Sequence, residues 1–136
     1  MDDLNKTIEI AVSGMKAQAE RLRVVSENLA NADSLPTAPD QQPYRRKILT
    51  FRNVLNESIG ADEVKVAKIN TDRSPFNKIY QPNHPAADAS GYVLSPNVNS
   101  LVELMDMREA ERSYQANMDV VSTSRTMLTN TINLLK

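Results

Sequence analysis

The 136-residue chain contains no cysteine, no tryptophan, only three glycines and two phenylalanines, and aromatic residues make up 4% of it. Each shortage excludes something. Without cysteine there are no disulfides, thiolate metal ligands or thiol nucleophiles. Three glycines leave no room for a glycine-rich phosphate cradle, and no Gly-x-Ser-x-Gly elbow occurs. The lone histidine, His84, has no second His or Cys with which to build a metal set. Scarce aromatics argue against a large globular core, so burial is expected mainly between helices. An excess of one charge is also missing. With 16 basic and 17 acidic residues the net charge is -1, and no strong field draws the chain to nucleic acid or to an anionic membrane. No stretch approaches the roughly 20 apolar residues of a membrane span. The opening Met1-Asp2-Asp3-Leu4 has neither the basic region nor the apolar run of a cleavable secretion signal. These absences predict a non-enzymatic protein without cofactor, metal, nucleic-acid partner or membrane span. Taken alone they also predict a cytoplasmic one.

What is present is helix at both ends. From Leu101 to Leu135 no Pro or Gly occurs, and apolar residues recur at alternating three- and four-residue steps. The seam reads Leu104, Met107, Glu111, Tyr114, Met118, Val121, Arg125, Leu128, Ile132 and Leu135, with the 3.5-residue mean step of a coiled coil. The first helix repeats the spacing with Leu4, Ile8, Ala11, Met15, Gln18, Leu22, Val25 and Leu29. The expected fold is therefore mainly α, two long terminal helices packing as an antiparallel coiled coil. Pairing the ends places Leu4 near Ile132 and Ala11 opposite Arg125. Gln18, Glu111 and Arg125 interrupt the seams, as register-setting polar residues do; the alternative is that they sit at the seam edge. Gly14 inside the first helix costs about 1 kcal/mol relative to Ala unless another backbone approaches there.

Between the helices the character changes. All seven prolines fall between residues 36 and 96, which rules out a continuous helix. Val64 to Ile69, Lys47 to Phe51 and Tyr92 to Leu94 are β-prone and predict a small sheet or hairpin, while Asp72 to Asp88 reads as a loop or linker. The expected division is thus residues 1-33 and 97-136 as the two helices of one coiled-coil domain, with 34-96 as an extended, Pro-rich, partly β middle. A second-helix start near Asn99 or Ser100 offers cap-type residues, with Glu103 placed to complete the cap. The basic cluster Tyr44-Arg45-Arg46-Lys47 reads as a solvated loop or protein interface rather than a nucleic-acid contact, which a handful of phosphate bonds would make weak and salt-sensitive.

The run Ser26-Glu27-Asn28-Leu29-Ala30-Asn31-Ala32 resembles the signature at the end of the first helix in bacterial flagellar axial proteins. Pro43-Tyr44-Arg45-Arg46-Lys47, the stretch from Tyr80 to Tyr92, Pro96-Asn97-Val98-Asn99 and the region Met105 to Tyr114 extend the resemblance, in order, over nearly the whole chain. Within the rod and hook family it is similar to basal-body rod proteins, although Asp40-Gln41-Gln42 stands where these usually carry a Gly pair before the Pro. The signature residues are Asn28, Leu29, Ala30, Asn31, Pro43, Tyr44, Arg45 and Arg46. The resemblance implies a structural subunit of the proximal rod. Such a subunit assembles helically with itself and other rod proteins into a drive shaft that encloses the export channel. It also implies passage through the flagellar type III export apparatus without signal cleavage, and a periplasmic rod location in place of the cytoplasmic one. Phe51 and Leu55 match the Phe-x-x-x-apolar export element of such proteins. The helical seams alone equally permit a cytoplasmic helical-hairpin adaptor or chaperone.

Overall fold

In the computed structural model, which describes residues 2–134, the elements run α1 (Asp2–Ala30), β1 (Lys47–Asn56), β2 (Ala61–Thr71), β3 (Asn77–Tyr80), β4 (Tyr92–Ser95) and α2 (Ser100–Leu134). Two terminal helices with a small antiparallel β middle agree with the sequence expectation. Leu135, the last residue of the expected seam, lies outside the described residues. The chain forms two compact units, each drawing on both helices. Unit 1 comprises Met1–Leu22, Leu49–Lys68 and Arg108–Lys136, and unit 2 comprises Arg23–Ile48 and Ile69–Met107.

In unit 1, α1 opens with Asp2 and Asp3 in its first turn, where carboxylates meet the positive end of the helix dipole. Its small residues Ala11, Ser13 and Ala17 are buried. The Ser13 hydroxyl donates to the Ile10 carbonyl at 2.7 Å and accepts the Val64 amide of β2 at 3.3 Å, which ties the helix to the β1–β2 ribbon. Thr50 Oγ1 donates to the Lys68 carbonyl, and Asn56 Nδ2 donates to Glu63 Oε1 at 2.7 Å near the turn. Across unit 1 the two helices run antiparallel, since Arg21 meets Glu109 at 3.8 Å while Gly14 lies against Asn117.

That register differs from the one expected. Pairing Leu4 with Ile132 and Ala11 with Arg125 would put Ser122 opposite Gly14, yet Asn117, five residues earlier, is there. The expected register set Ala11 against Arg125, whereas the observed one sets Gly14 against Asn117. A Cβ at Gly14 would stand 2.9 Å from Asn117 Nδ2. Asn117 is itself folded down by a 3.0 Å bond from Nδ2 to the Ser113 carbonyl. What a side chain at Gly14 would meet first is thus the Asn117 side-chain amide, not another backbone.

In unit 2, α1 ends where Asn31 N–H is shared between the Glu27 and Asn28 carbonyls and Ser34 Oγ donates to the Asn31 carbonyl at 2.8 Å, local bonds that compete with another helical turn. The stretch expected as loop, residues 72 to 88, contains β3. It pairs antiparallel with β4, Asn77 opposite Ser95 through Tyr80 opposite Tyr92. All four β3 residues are exposed, so the strand lacks the apolar alternation by which a half-buried strand is recognised. β4 does alternate, with Val93 and Ser95 buried and Tyr92 and Leu94 exposed. The Tyr80 and Tyr92 rings meet edge to face at 5.2 Å between centroids. Gly91, at φ 80°, makes the turn into β4, and a Cβ there would press on Tyr80 at 2.9 Å. At the start of α2, Asn99 Oδ1 accepts the Leu101 and Val102 amides at 3.0 and 3.3 Å and caps the helix.

Candidate assembly interface

The signature residues converge in unit 2. Asn28, 1% exposed, uses its whole side chain. Its Nδ2 donates to the Lys47 carbonyl at 2.8 Å and to Glu103 Oε2 at 3.0 Å; its Oδ1 accepts Tyr44 OH at 2.9 Å and the Lys47 amide at 2.8 Å. Two donors and two lone pairs are a carboxamide's full complement, a set that among side chains only the longer glutamine shares. By bonding both the N–H and C=O of Lys47, the amide imitates a neighbouring strand at the start of β1.

Glu103 is fully buried, and its second oxygen accepts Arg46 Nε. The sequence marked Glu103 only as a cap candidate; in the fold Asn99 caps alone and Glu103 turns to Asn28 and Arg46. Arg46 also reaches Asp106 at 3.6 Å and Asp72 at 3.9 Å, and its amide donates to Asn97 Oδ1 at 2.8 Å. Asn97 Nδ2 in turn donates to the Asp72 carbonyl and to Ser74 Oγ. Lys47 Nζ pairs with Glu27, and Arg45 stacks over Phe76 at 4.1 Å. The basic cluster is thus engaged within the unit by carboxylates, carbonyls and a ring. A buried carboxylate is tolerable only when so paired. Burial, reinforced by the nearby Glu27 and Glu103 charges, pushes the Tyr44 hydroxyl up to about 12, so it stays protonated and keeps donating to Asn28. Bonds from the Ser74 amide and hydroxyl hold Asp72 below its ordinary value, helped by Arg46 and Arg45. Pro43 is buried, Leu29 and Asn31 are half-buried, and Ala30 is exposed.

The expected seam positions divide. On α1, Ala11 and Val25 are buried and Leu4, Ile8, Met15, Gln18, Leu22 and Leu29 are half-buried. Gln18 Oε1 is buried without a hydrogen bond. On α2, Met107, Tyr114, Val121 and Leu128 are half-buried, but Leu104, Glu111, Met118, Arg125 and Ile132 are exposed. The second covered row of α2 is instead Glu103, Ala110, Asn117 and Ser124, displaced by one residue, or about 100° around the helix. The residues that interrupt the expected row, Glu111 and Arg125, therefore stand in solvent within one chain. So do apolar Leu104, Met118 and Ile132, with exposures of 43%, 40% and 42%. Phe51 and Leu55, two strand repeats apart on β1, are 37% and 62% exposed. His84 serves its own loop, its Nδ1 accepting the Ala86 amide at 3.1 Å. Among the described residues no helix is long and apolar enough to cross a membrane, and no group of three His, Asp or Glu is placed to hold a metal.

Residues 8–34 match the family model of the flagella basal body rod protein, and residues 89–134 match that of the flagellar basal body rod FlgEFG protein C-terminal region. Along its full length the chain is 49% identical to a flagellar basal-body rod protein FlgC from Agrobacterium fabrum, of which it covers 98%. The chain belongs to the FlgC family of flagellar basal-body rod proteins. The FlgC of Salmonella typhimurium is 43% identical, with 93% of each chain covered, and that of Bacillus subtilis is 35% identical over 96% of this chain and 97% of its own. The two matched segments contain the helix-end signature around Asn28 and the whole described length of α2. The chain is accordingly a structural subunit of the bacterial flagellar basal-body rod, a part of the motility machinery that assembles with other rod proteins. Its FlgC relatives are structural proteins rather than enzymes, and nothing in the comparisons supports a cytoplasmic adaptor or chaperone.

Proposed function

We propose that the chain is a subunit of the proximal rod, the periplasmic drive shaft that transmits torque and encloses the export channel. Its two terminal helices pack on each other as an antiparallel coiled coil in the inner tube, and the middle region makes the outer contacts. The subunit reaches this place through the flagellar type III export apparatus, with Phe51 and Leu55 as the export element. One observation carries the reading: α2 has a covered row toward its own chain and a second, exposed row built on Leu104, Met118 and Ile132. A helix with apolar residues on a face its own chain leaves open gains stability when another subunit covers that face. Repetition of one heterologous contact then builds a helical assembly. No cysteine bridges have to be broken for an unfolded passage.

The experiment is complementation of a strain lacking this subunit with Leu104→Asp/Ile132→Asp. The variant keeps its helical signal when purified, is exported, and yields no completed rods. Normal basal bodies in normal number would overturn the assignment of this row to assembly. A separate Phe51→Ala/Leu55→Ala variant, exported at the normal rate, would remove the export element from the proposal.

A further inference from the structure

In an antiparallel pair alternate residues of a strand turn their N–H and C=O toward the partner strand, and the others turn them away. Just before β1 the Arg46 carbonyl accepts the Asp72 amide, and at its end the Asn56 carbonyl accepts the Gly60 amide, so the even-numbered residues face β2. The odd-numbered ones face away, and at Lys47 the amide and carbonyl are both taken by Asn28. Among the described residues no hydrogen bond outside the ladder reaches the backbone of Leu49, Phe51, Asn53 or Leu55. This open edge is about 20 Å long and lies within unit 1. The four side chains share one face of the strand, three of them apolar, with Phe51 and Leu55 exposed. From Leu49 to Leu55 there is no Pro or Gly and a single charge, Arg52, which is exposed and without an ion pair among the described residues. Proteins ordinarily blunt such an edge with charge or cover it. β2 is treated in that way: it carries Asp62, Glu63, Lys65 and Lys68, and its Val64 amide donates to Ser13 Oγ. The stretch of β1 is not.

We propose that in the assembled rod the edge of β1 from Leu49 to Leu55 pairs with an extended segment of a different rod protein, which adds a third strand to the ribbon. The inference rests on the rod reading and gives the outer contact of the middle region a partner chemistry. The partner segment alternates apolar residues, which cover Leu49, Phe51 and Leu55, and sets a carboxylate across from Arg52. A second copy of this chain fits poorly. Its β2 is charged and its edge is engaged by Ser13, and its β1, antiparallel on the same stretch, would set Arg52 against Arg52.

The test is made on the full chain in cells, with purified basal bodies as the readout. A photo-crosslinking residue in place of Asn53 is expected to link to one rod protein other than this chain, at an extended segment with the alternation described. Asn53→Pro deletes one outward N–H and leaves the ladder to β2 whole. It is expected to be exported at the normal rate and to lower the number of completed rods roughly tenfold, whereas Asn53→Ala, which keeps the N–H, gives normal numbers. A cross-link to a second copy, to a helix or to no protein overturns the inference, whatever the proline variant does. So does an Asn53→Pro chain that builds rods in normal number or is held in the cytoplasm, and so does an equal defect in the two variants. The rod reading fails differently, because the natural chain is then absent from purified basal bodies altogether.

Discussion

Units 1 and 2 hold the same two helices by opposite means. In unit 2 the contact is polar and saturated: Asn28, Glu103, Arg46, Tyr44 and Lys47 satisfy one another, and a shift of either helix would leave a buried charge and a buried amide without partners. In unit 1 the contact is steric: Asn117 lies over Gly14, and the covered positions Ala11, Ala17, Ala110 and Ser124 are small. Polar saturation defines one arrangement sharply and adds little net stability, because desolvation offsets much of the gain. Small-residue contact lets backbones approach but buries little apolar area. Neither unit covers the large apolar side chains of α2 at Leu101, Leu104, Met105, Met118 and Met127, which remain outward. Specificity is resolved inside the chain, while these apolar side chains stay exposed on it.

The sharpest way to break this contrast is to remove the buried charge. Glu103→Ala leaves Asn28 Nδ2 and Arg46 Nε facing a void, and loss of one partner of a buried pair costs about 3 to 5 kcal/mol. Urea unfolding should show that loss, against a much smaller one for Glu109→Ala, whose ion pair with Arg21 lies at the surface. Equal effects for the two variants would mean that the buried network does not distinguish unit 2.

In unit 1 the test is a coupling. Gly14→Ala gains about 1 kcal/mol of helix propensity but must displace Asn117, so in the natural chain the gain is cancelled. With Asn117→Ala the space exists and the same substitution should stabilise by about 1 kcal/mol. Additive effects in a double-mutant cycle would remove the steric account of the register.

The sequence revealed the helices because periodicity and the confinement of proline to the middle are local signals. Of the α2 row that the periodicity picks out, Met107, Tyr114, Val121 and Leu128 are half-buried on the single chain. The other seam positions described, Leu104, Glu111, Met118, Arg125 and Ile132, are exposed on the single chain, which covers Glu103, Ala110 and Ser124 one residue earlier on the helix. The signal that pointed the right way was Gly14 among Ala11, Ser13 and Ala17, a row that only small partners can approach. The network around Asn28 was legible as a set of signature residues, not as a geometry. Asn97, Asp72 and Glu103 join it from distant parts of the chain, and no spacing rule connects them. β3 was missed because its fully exposed side chains carry no pattern; its partner strand supplies the structure.

Tyr44 sharpens the polar side of the comparison through pH. Its folded value, about 12, lies above the ordinary 10.0, so its contribution is complete below pH 10 and is lost as pH rises from 10 through 12. Tyr44→Phe should cost about 1 kcal/mol at neutral pH through the lost bond to Asn28, and the gap between the two proteins should close across that alkaline window. Asp72 acts at the other end: its folded value is lowered, so its stabilisation is present above the ordinary 3.8 and lost as pH falls through the folded value. Asp72→Asn should flatten the acid limb of the stability profile. Parallel curves for either variant and the natural chain would contradict these assignments.

The smallest effect is expected where the chain looks most hydrophobic. Met118 is 40% exposed, at the centre of the outward row, and truncating it removes little that its own chain buries. Met118→Ala should therefore leave urea stability of the dilute protein within about 0.5 kcal/mol of the natural value. The same substitution removes a side chain that a neighbouring subunit covers in the proposed assembly, where burying a Met counts for about 1.5 to 3 kcal/mol, so basal bodies from cells carrying it should be fewer or less resistant to acid or heat. The test is the ratio of the two losses rather than either alone. A large loss in the dilute monomer would mean that Met118 packs within its own chain, and the division of α2 into an inner small-residue row and an outer apolar row would fail at its central residue. Small losses in both settings would leave the outer row without a structural role in the rod.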